Sequence, residues 1–337
     1  GEERTMTGLS DAANDERTAR MVLSMLVEPN DPVTGRLLAR VGAVEVLRLA
    51  ERNGEGSGLD SVDTQVWRDH FNTSDVRSIT ERLSQIRQSG VRALIPGDAH
   101  WPGALNDLGE AAPYVLWVRG ASSFLSRPLR DFVTITGARA STSYGDHVAR
   151  ELAASVAADD RVVVAGGAYG IEGVAHQTAL ATGGDTIAVL ANGVDRPYPA
   201  GHRDLLDRVA DVGVLVSEVP PGTVPTRHRF IARARLMAAL SSATVLVEAG
   251  FRSGSLAVAH RASELGRGVG AVPGPVTSVS SAGAHSLLQT GVASLVTDGA
   301  DLANLVEREG SRQASALRAG LGGGRARRSA SEPARTL

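Results

Sequence analysis

Glycine, small hydroxyl residues and arginine recur in this chain immediately after short apolar runs, which is where they could bind an anion. The first group, Gly137-Ala138-Arg139-Ala140-Ser141-Thr142-Ser143, follows Phe132 to Thr136, and the second, Gly166-Gly167-Ala168-Tyr169-Gly170, follows Val162 to Ala165. Ser253-Gly254-Ser255 forms a third, and the densest basic cluster runs Arg227-His228-Arg229-Phe230-Ile231-Ala232-Arg233-Ala234-Arg235. Glycine lets backbone approach a ligand, free amides at a helix start receive anions, and a guanidinium fork grips phosphate. Gly137, Ala138, Arg139 and Ser141 therefore read as one phosphate contact. Gly166, Gly167 and Gly170 read as a second, backbone-lined anion pocket, and Ser253 with Gly254 as a third. The plainer reading of the first group is an ordinary turn with good helix caps.

In the basic cluster, a helix from about Phe230 puts Arg229 and Arg233 on one face, with Phe230 beside them for a base to stack on. Aromatic rings with guanidinium groups are how sequence-tolerant single-strand binders hold bases and backbone. The plainer alternative is a solvated helix start with Phe230 in the core. Arginine near a helix start opposes the helix dipole, which favours the functional reading.

Other chemistries find less support. Glu172 and His176, four apart, share a helical face and could form an acid/base or metal pair, but no third ligand lies nearby and no metal is expected. Glu248 ends a strand and could be a catalytic carboxylate, yet no partner acid is identifiable. There is no G-x-S-x-G elbow for a hydrolase nucleophile. A dinucleotide site needs an acid at the end of the second strand, where Gly166 and Gly167 stand, and Asp159 and Asp160 precede that strand; G-x-G-x-x-G is absent too. No cofactor is expected.

All 35 basic residues of the 337 are arginine, and the chain has no cysteine. Without lysine there is no Walker A loop, Schiff base or lysine general base; without cysteine there is no thiol nucleophile, disulfide or zinc–thiolate site. The net charge of −2 leaves any polyanion to a local patch. No apolar stretch approaches the ~18 to 20 residues of a membrane span, so a cytoplasmic protein is expected.

These groups must be positioned by the elements around them. Short β-branched runs alternate with helical periods, which predicts an α/β fold with a mostly parallel sheet, helices on both faces and ligands at the carboxyl ends of the strands. Residues 1–15 lack period and are expected to be disordered. Residues 16–90 read as a small bundle of short helices, within which GRLLARVGAVEVLRLA is either a helix-hairpin-helix-like DNA contact or plain packing. Residues 91–309 hold a linker-like stretch with a strand at Tyr114 to Val118 and then the α/β region. Residues 310–337 read as a disordered arginine-rich tail.

Taken in order, WPGALNDL, PYVLWVRG, ITGARASTSYG, AGGAYGIEGVAH, LANGVDRPYP, SEVPPG, RFIARARLMAALS, EAGFRSGSL and VPGPVTSVSSAGAHSLL resemble the motifs of the DNA-processing protein A (DprA/Smf) family. Its members are single-stranded DNA binders that load the RecA recombinase during natural transformation. The resemblance spans roughly residues 91 to 306. It implies an extended Rossmann-like domain after a small all-α domain of SAM type, a homodimer, no enzymatic activity, and single-stranded DNA and a RecA-type recombinase as partners. Carried over, Arg139 and Arg227 bind phosphate, Phe230 contacts a base, Arg233 and Arg235 line the same groove, and Ser253 and Gly254 match a ligand-facing turn. The chain departs from the pattern at Ala165, Glu172, Ala234 and Ala257-Val258, where the family has Ser, Asp, Asn and Thr-Ala. No winged-helix domain is expected after Glu309. A rival reading is a nucleotide hydrolase of the lysine-decarboxylase-like type, whose P-G-G-x-G-T-x-x-E motif lacks its trailing Glu here. An adaptor without a ligand would leave the repeated anion-ready turns unexplained.

Overall fold

The computed structural model describes residues 8–51, 61–72 and 75–326. Six helices come first: α1 (Leu9–Ala12), α2 (Glu16–Leu26), α3 (Pro32–Val41), α4 (Ala43–Glu51), α5 (Ser61–Asn72) and α6 (Val76–Gln88). Their starts are written locally. Asp15, Asp31 and Asp75 accept from the backbone N–H of Thr18, Thr34 and Arg77, and Pro32 opens α3, where its missing donor costs nothing.

Nine strands follow: β1 (Arg92–Leu94), β2 (Leu116–Gly120), β3 (Phe132–Thr136), β4 (Val162–Ala165), β5 (Thr186–Leu190), β6 (Val214–Ser217), β7 (Ala243–Leu246), β8 (Gly268–Ala271) and β9 (Ser294–Leu295). They form one sheet in the order β1-β2-β6-β5-β4-β3-β7-β8-β9. All pairings from β6 to β9 are parallel, and β1 and β2 close one edge antiparallel. The order reverses at β3, where Thr134 lies opposite both Val164 of β4 and Thr244 of β7. A ligand crevice belongs at this switch point, beyond the ends of β3, β4 and β7.

The interleaved helices are α7 (Ser143–Ala158), α8 (Ile171–Ala181), α9 (Arg203–Val212), α10 (Arg227–Ala239), α11 (Ser255–Glu264), α12 (Ala282–Gln289) and α13 (Gly299–Ala326). Strand alternation divides them between the faces. Phe132, Val162 and Val164 pack with Leu236 and Met237 of α10 and Val258 of α11, whereas Val133, Ile135 and Val163 pack with Leu152 of α7 and Ala175 of α8. The mostly parallel α/β sheet is as the sequence predicts. Among the described residues no helix is long and apolar enough to cross a membrane.

The helical region does not stand apart. Leu23, Leu47 and Trp67 share one apolar cluster with Trp117, Leu190 and Leu215 of the sheet. Trp117 Nε1 donates to Ser24 Oγ, and Arg17 makes a two-pronged ion pair with Asp98. The α3–α4 stretch considered for DNA contact buries Leu37, Leu38, Val46 and Leu47 in this cluster, so its apolar face is a packing face.

Three stretches differ from expectation. Within residues 1–15, α1 forms because Leu9 buries its side chain and Glu51 accepts from the backbone N–H groups of Leu9 and Ser10. Residues 310–326 continue α13 as helix: Leu302, Leu305 and Val306 anchor its start, and the alanines, arginines and leucines beyond, strong helix formers, are interspersed with five glycines that oppose it. Residues 1–7 and 327–337 lie outside the described residues. A strand not expected, β1, precedes the linker-like stretch and pairs with β2.

Arg235 is a further correction. Instead of lining the groove it is 4% exposed and pairs with Glu218, Nη1 to Oε2 at 2.5 Å and Nη2 to Oε1 at 2.7 Å, while its Nε donates to Ala111 O at 2.7 Å. It ties α10 to the end of β6 and to the turn before β2. Replacing Arg235 with Ala leaves Glu218 buried and unpaired, so urea unfolding should show a loss of about 3–5 kcal/mol, largely recovered when Glu218 is also made apolar.

His176 is fully buried on α8. Thr186 Oγ1 donates to Val163 O at 2.9 Å, so the 2.8 Å contact with His176 Nδ1 has the imidazole donating, and Nε2 has no partner among the described residues. Burial pushes the pKa of His176 down to about 3, with a smaller push from His202. The unfolded chain takes up this proton near pH ~6.5 and the folded one does not, so the cost is absent above that pH and grows as pH falls toward 3. In unfolding curves between pH 7 and 4, His176→Gln should flatten the dependence by about 1.4 kcal/mol per pH unit below ~6 relative to wild type.

Candidate nucleic-acid interface

The turn after β3 is fixed from behind by the end of β7. Ala138 N–H donates to Glu248 O at 2.6 Å, and the Glu248 carboxylate accepts from Thr142 N–H at 2.9 Å and Thr142 Oγ1 at 2.6 Å. Thr142 also caps α7, and Ser141 Oγ donates to Asp146 Oδ1 at 2.5 Å. The start of α7 is thus already filled by the protein's own carboxylates. A phosphate would meet like charge there, so the expectation that Ser141 and the amides of this helix receive an anion is corrected. Glu248 is a clamp for the turn, and of the residues expected here Arg139 alone offers an uncommitted charge.

The second loop interlocks with the first. Ile171 N–H donates to Ala138 O, and Gly170, at φ 76°, sits where a Cβ would strike the carbonyl oxygens of Ala138 and Arg139. Gly166 N–H donates to Glu172 Oε2, Gly166 O accepts from Arg233 Nη1 at 3.1 Å, and a Cβ on Gly166 would collide with both side chains. Gly167 O lies 2.9 Å from His202 Nδ1. These glycines serve close packing, and the amide of Gly166 is spent on Glu172, so that amide is not open to the anion expected there. Glu172 and His176 hold different partners, and no group of three His, Cys, Asp or Glu able to hold a metal occurs among the described residues.

Helix α10 brings the remaining residues. Thr226 caps it by accepting from Arg229 N–H, which starts the helix at Arg227 and puts that side chain on the surface. Arg229 turns away to Glu28 at 2.7 Å, and His228 Nε2 contacts Pro29 O at 3.1 Å, so the first turn of α10 is clasped by the helical region. One turn on, Phe230 is partly exposed with two guanidiniums against its ring, Arg139 at 5.1 Å and Arg233 at 5.2 Å from the centroid. Arg233 is 9% exposed and its Nε has no partner among the described residues. Burial pulls the Arg233 guanidinium below its usual range; Glu172 opposes that pull and Arg139 adds to it. A charge so placed is short of a counter-anion.

These groups line a cavity of about 880 Å³ in which Arg139, Arg227, Arg233 and Arg252 face Phe230, Ile231, Ser253 and Gly254, with Glu172 the carboxylate in the wall. Ser253 lines this cavity, its hydroxyl 2.6 Å from that of Ser255. A smaller chamber of about 50 Å³ adjoins it between Phe230, Tyr169, Tyr198 and Asn192. The ring of Tyr198 lies 6.1 Å from that of Phe230. Arginines with exposed rings at their side suit a strand whose phosphates are held and whose bases are unpaired. Sequence reasoning missed Arg252, Tyr169 and Tyr198, although each follows a strand end and the two tyrosines are half of the chain's four.

The sequence profile of the family described as DNA recombination-mediator protein A matches residues 92–307. A DNA processing protein DprA of Mycobacterium tuberculosis is 44% identical over 294 residues, covering 84% of this chain and 73% of that protein. The DNA processing protein DprA of Streptococcus pneumoniae is 37% identical over 205 residues, covering 61% of this chain and 71% of that protein. The solved structure of the S. pneumoniae protein superposes with a TM-score of 0.67 at 28% identity, over 84% of this chain and 94% of that one. That of DNA processing protein A from Helicobacter pylori, described for its single-stranded DNA binding mode, gives 0.58 at 27% identity, over 65% and 96%. The matched residues include every strand of the sheet and each arginine of the cavity, and the chain belongs to the DNA recombination-mediator protein A family.

Proposed function

We propose that this protein binds single-stranded DNA without sequence preference, performs no reaction on it, and serves as a mediator that passes the strand to a RecA-type recombinase. The observation that carries this reading is the partly exposed Phe230 ring with guanidiniums of Arg139 and Arg233 against it, at the wall of a cavity that also holds Arg227 and Arg252. A ring of this kind stacks any base, and the arginines hold the backbone, so recognition rests on features that every strand shares. The single-stranded DNA binding stated for the H. pylori relative supports it. Absence of catalysis is supported by the carboxylates. Glu172, in the cavity wall, is spent on Gly166 N–H and Glu248 on Thr142, and among the described residues no second acid lines the cavity beside Glu172. Transfer to a recombinase and a homodimeric state belong to the same reading on the strength of the family.

Fluorescence anisotropy with labelled oligothymidylate tests it. Wild-type affinity should fall with salt along a slope of about 0.7 per phosphate contacted. Arg139→Ala should weaken binding at least about tenfold. Phe230→Ala should cost about 1–3 kcal/mol while leaving the salt slope nearly unchanged, because stacking releases no counterions. Salt-insensitive binding, or release of free base from a nucleoside monophosphate, would overturn the reading in favour of an enzyme.

A further inference from the structure

A second basic cleft opens on the far side of Tyr198. It encloses about 720 Å³ at the junction of the helical region and the sheet, and it is lined by Arg119, Arg196 and Arg203 with Asp195 and Asp207. Its acids are already engaged: Asp207 accepts from Arg119 at 2.9 Å, and Asp195 accepts from Gly222 N–H at 2.8 Å. Arg196 and Arg203 are exposed, and among the described residues neither has a carboxylate partner. The cleft thus holds three arginines against two carboxylates, and Arg196 and Arg203 present their guanidiniums to solvent.

The cleft is continuous with the arginine cavity through one residue. Tyr198, 44% exposed, lines both this cleft and the chamber formed with Phe230, Tyr169 and Arg139. The loop that carries it is held in place, because the buried Asn192 donates through Nδ2 to Arg196 O at 2.5 Å. Arg139, Phe230 and Tyr198 thus succeed one another along the surface, and Arg196 and Arg203 come next.

We propose that this cleft is a second subsite for the same strand: a single strand leaving the Phe230 chamber crosses Tyr198 and lays further phosphates on Arg196 and Arg203. The proposal rests on the single-strand reading above. It makes strand length the selective property, since a short oligonucleotide fills the arginine cavity alone whereas a longer one reaches both.

The test is fluorescence anisotropy of the whole chain with oligothymidylates of about 6 and about 20 nucleotides, lengths on the scale of single-strand site sizes. The proteins are wild type, Arg196→Ala/Arg203→Ala and Arg139→Ala. The double variant should bind the short oligonucleotide as wild type does, bind the long one about fivefold more weakly, and lose about 1.4 from the salt slope of the long one. Arg139→Ala should weaken both. Equal affinity of wild type and double variant for the long oligonucleotide overturns the second subsite. So does an equal loss for both lengths, which would show that the cleft does not act separately. If wild type binds neither length, the single-strand reading itself falls.

Discussion

Arg233 carries its charge below a phenylalanine ring, with the carbonyl oxygens of Gly166 and Val189 as hydrogen-bonded partners and, among the described residues, no ion pair with a carboxylate. Holding an ion away from water in this way is expensive unless its surroundings are arranged around it. The neighbourhood meets that demand. Gly166 has no side chain because Arg233 and Glu172 approach it from both sides, Glu172 is close enough to favour the charge, and the ring above it offers its negative face. The positions of the second loop, of α8's first turn and of Phe230 are consequences of accommodating this one guanidinium at the switch point of the sheet.

The carboxylates near the site explain how a chain with almost no net charge presents a basic cavity. Glu248 fastens the turn after β3, Glu172 the loop after β4, Glu218 the body of α10 and Glu28 its first turn. Each is spent on backbone or on an arginine that does not line the cavity, which leaves the cavity's arginines without a carboxylate ion pair among the described residues. Acidic residues act here as internal fasteners, so the sign of the surface is decided by orientation rather than composition.

The sheet, the strand ends and the aromatic–arginine pairing were legible because they depend on local pattern: β-branched runs, glycine after a strand, a capped helix. What was not legible depended on which way a helix faces. Arg233 and Arg235 are two residues apart, roughly 200° around the helix, so when one meets the cavity the other must enter the protein. Nothing in Ala232-Arg233-Ala234-Arg235 says which. Ser141 likewise has the right chemistry for an anion, but Asp146 one turn into α7 takes its hydroxyl. Tyr169 and Tyr198 come together only through the stacking of β4 beside β5, a long-range fact. The α13 extension was missed because a glycine- and arginine-rich composition reads as a tail when the anchoring of the helix start by Leu302 and Leu305 is not known.

Every cation in the cavity is a guanidinium, and this has a chemical corollary. Amines can be silenced by acylation or by losing a proton, whereas guanidinium groups do not deprotonate in proteins and offer no amine to acylate. The cavity's hold on a polyanion therefore has no covalent dimmer of the lysine kind. Letting go must come from competition: counterions, another strand, or a recipient that grips the same phosphates more tightly.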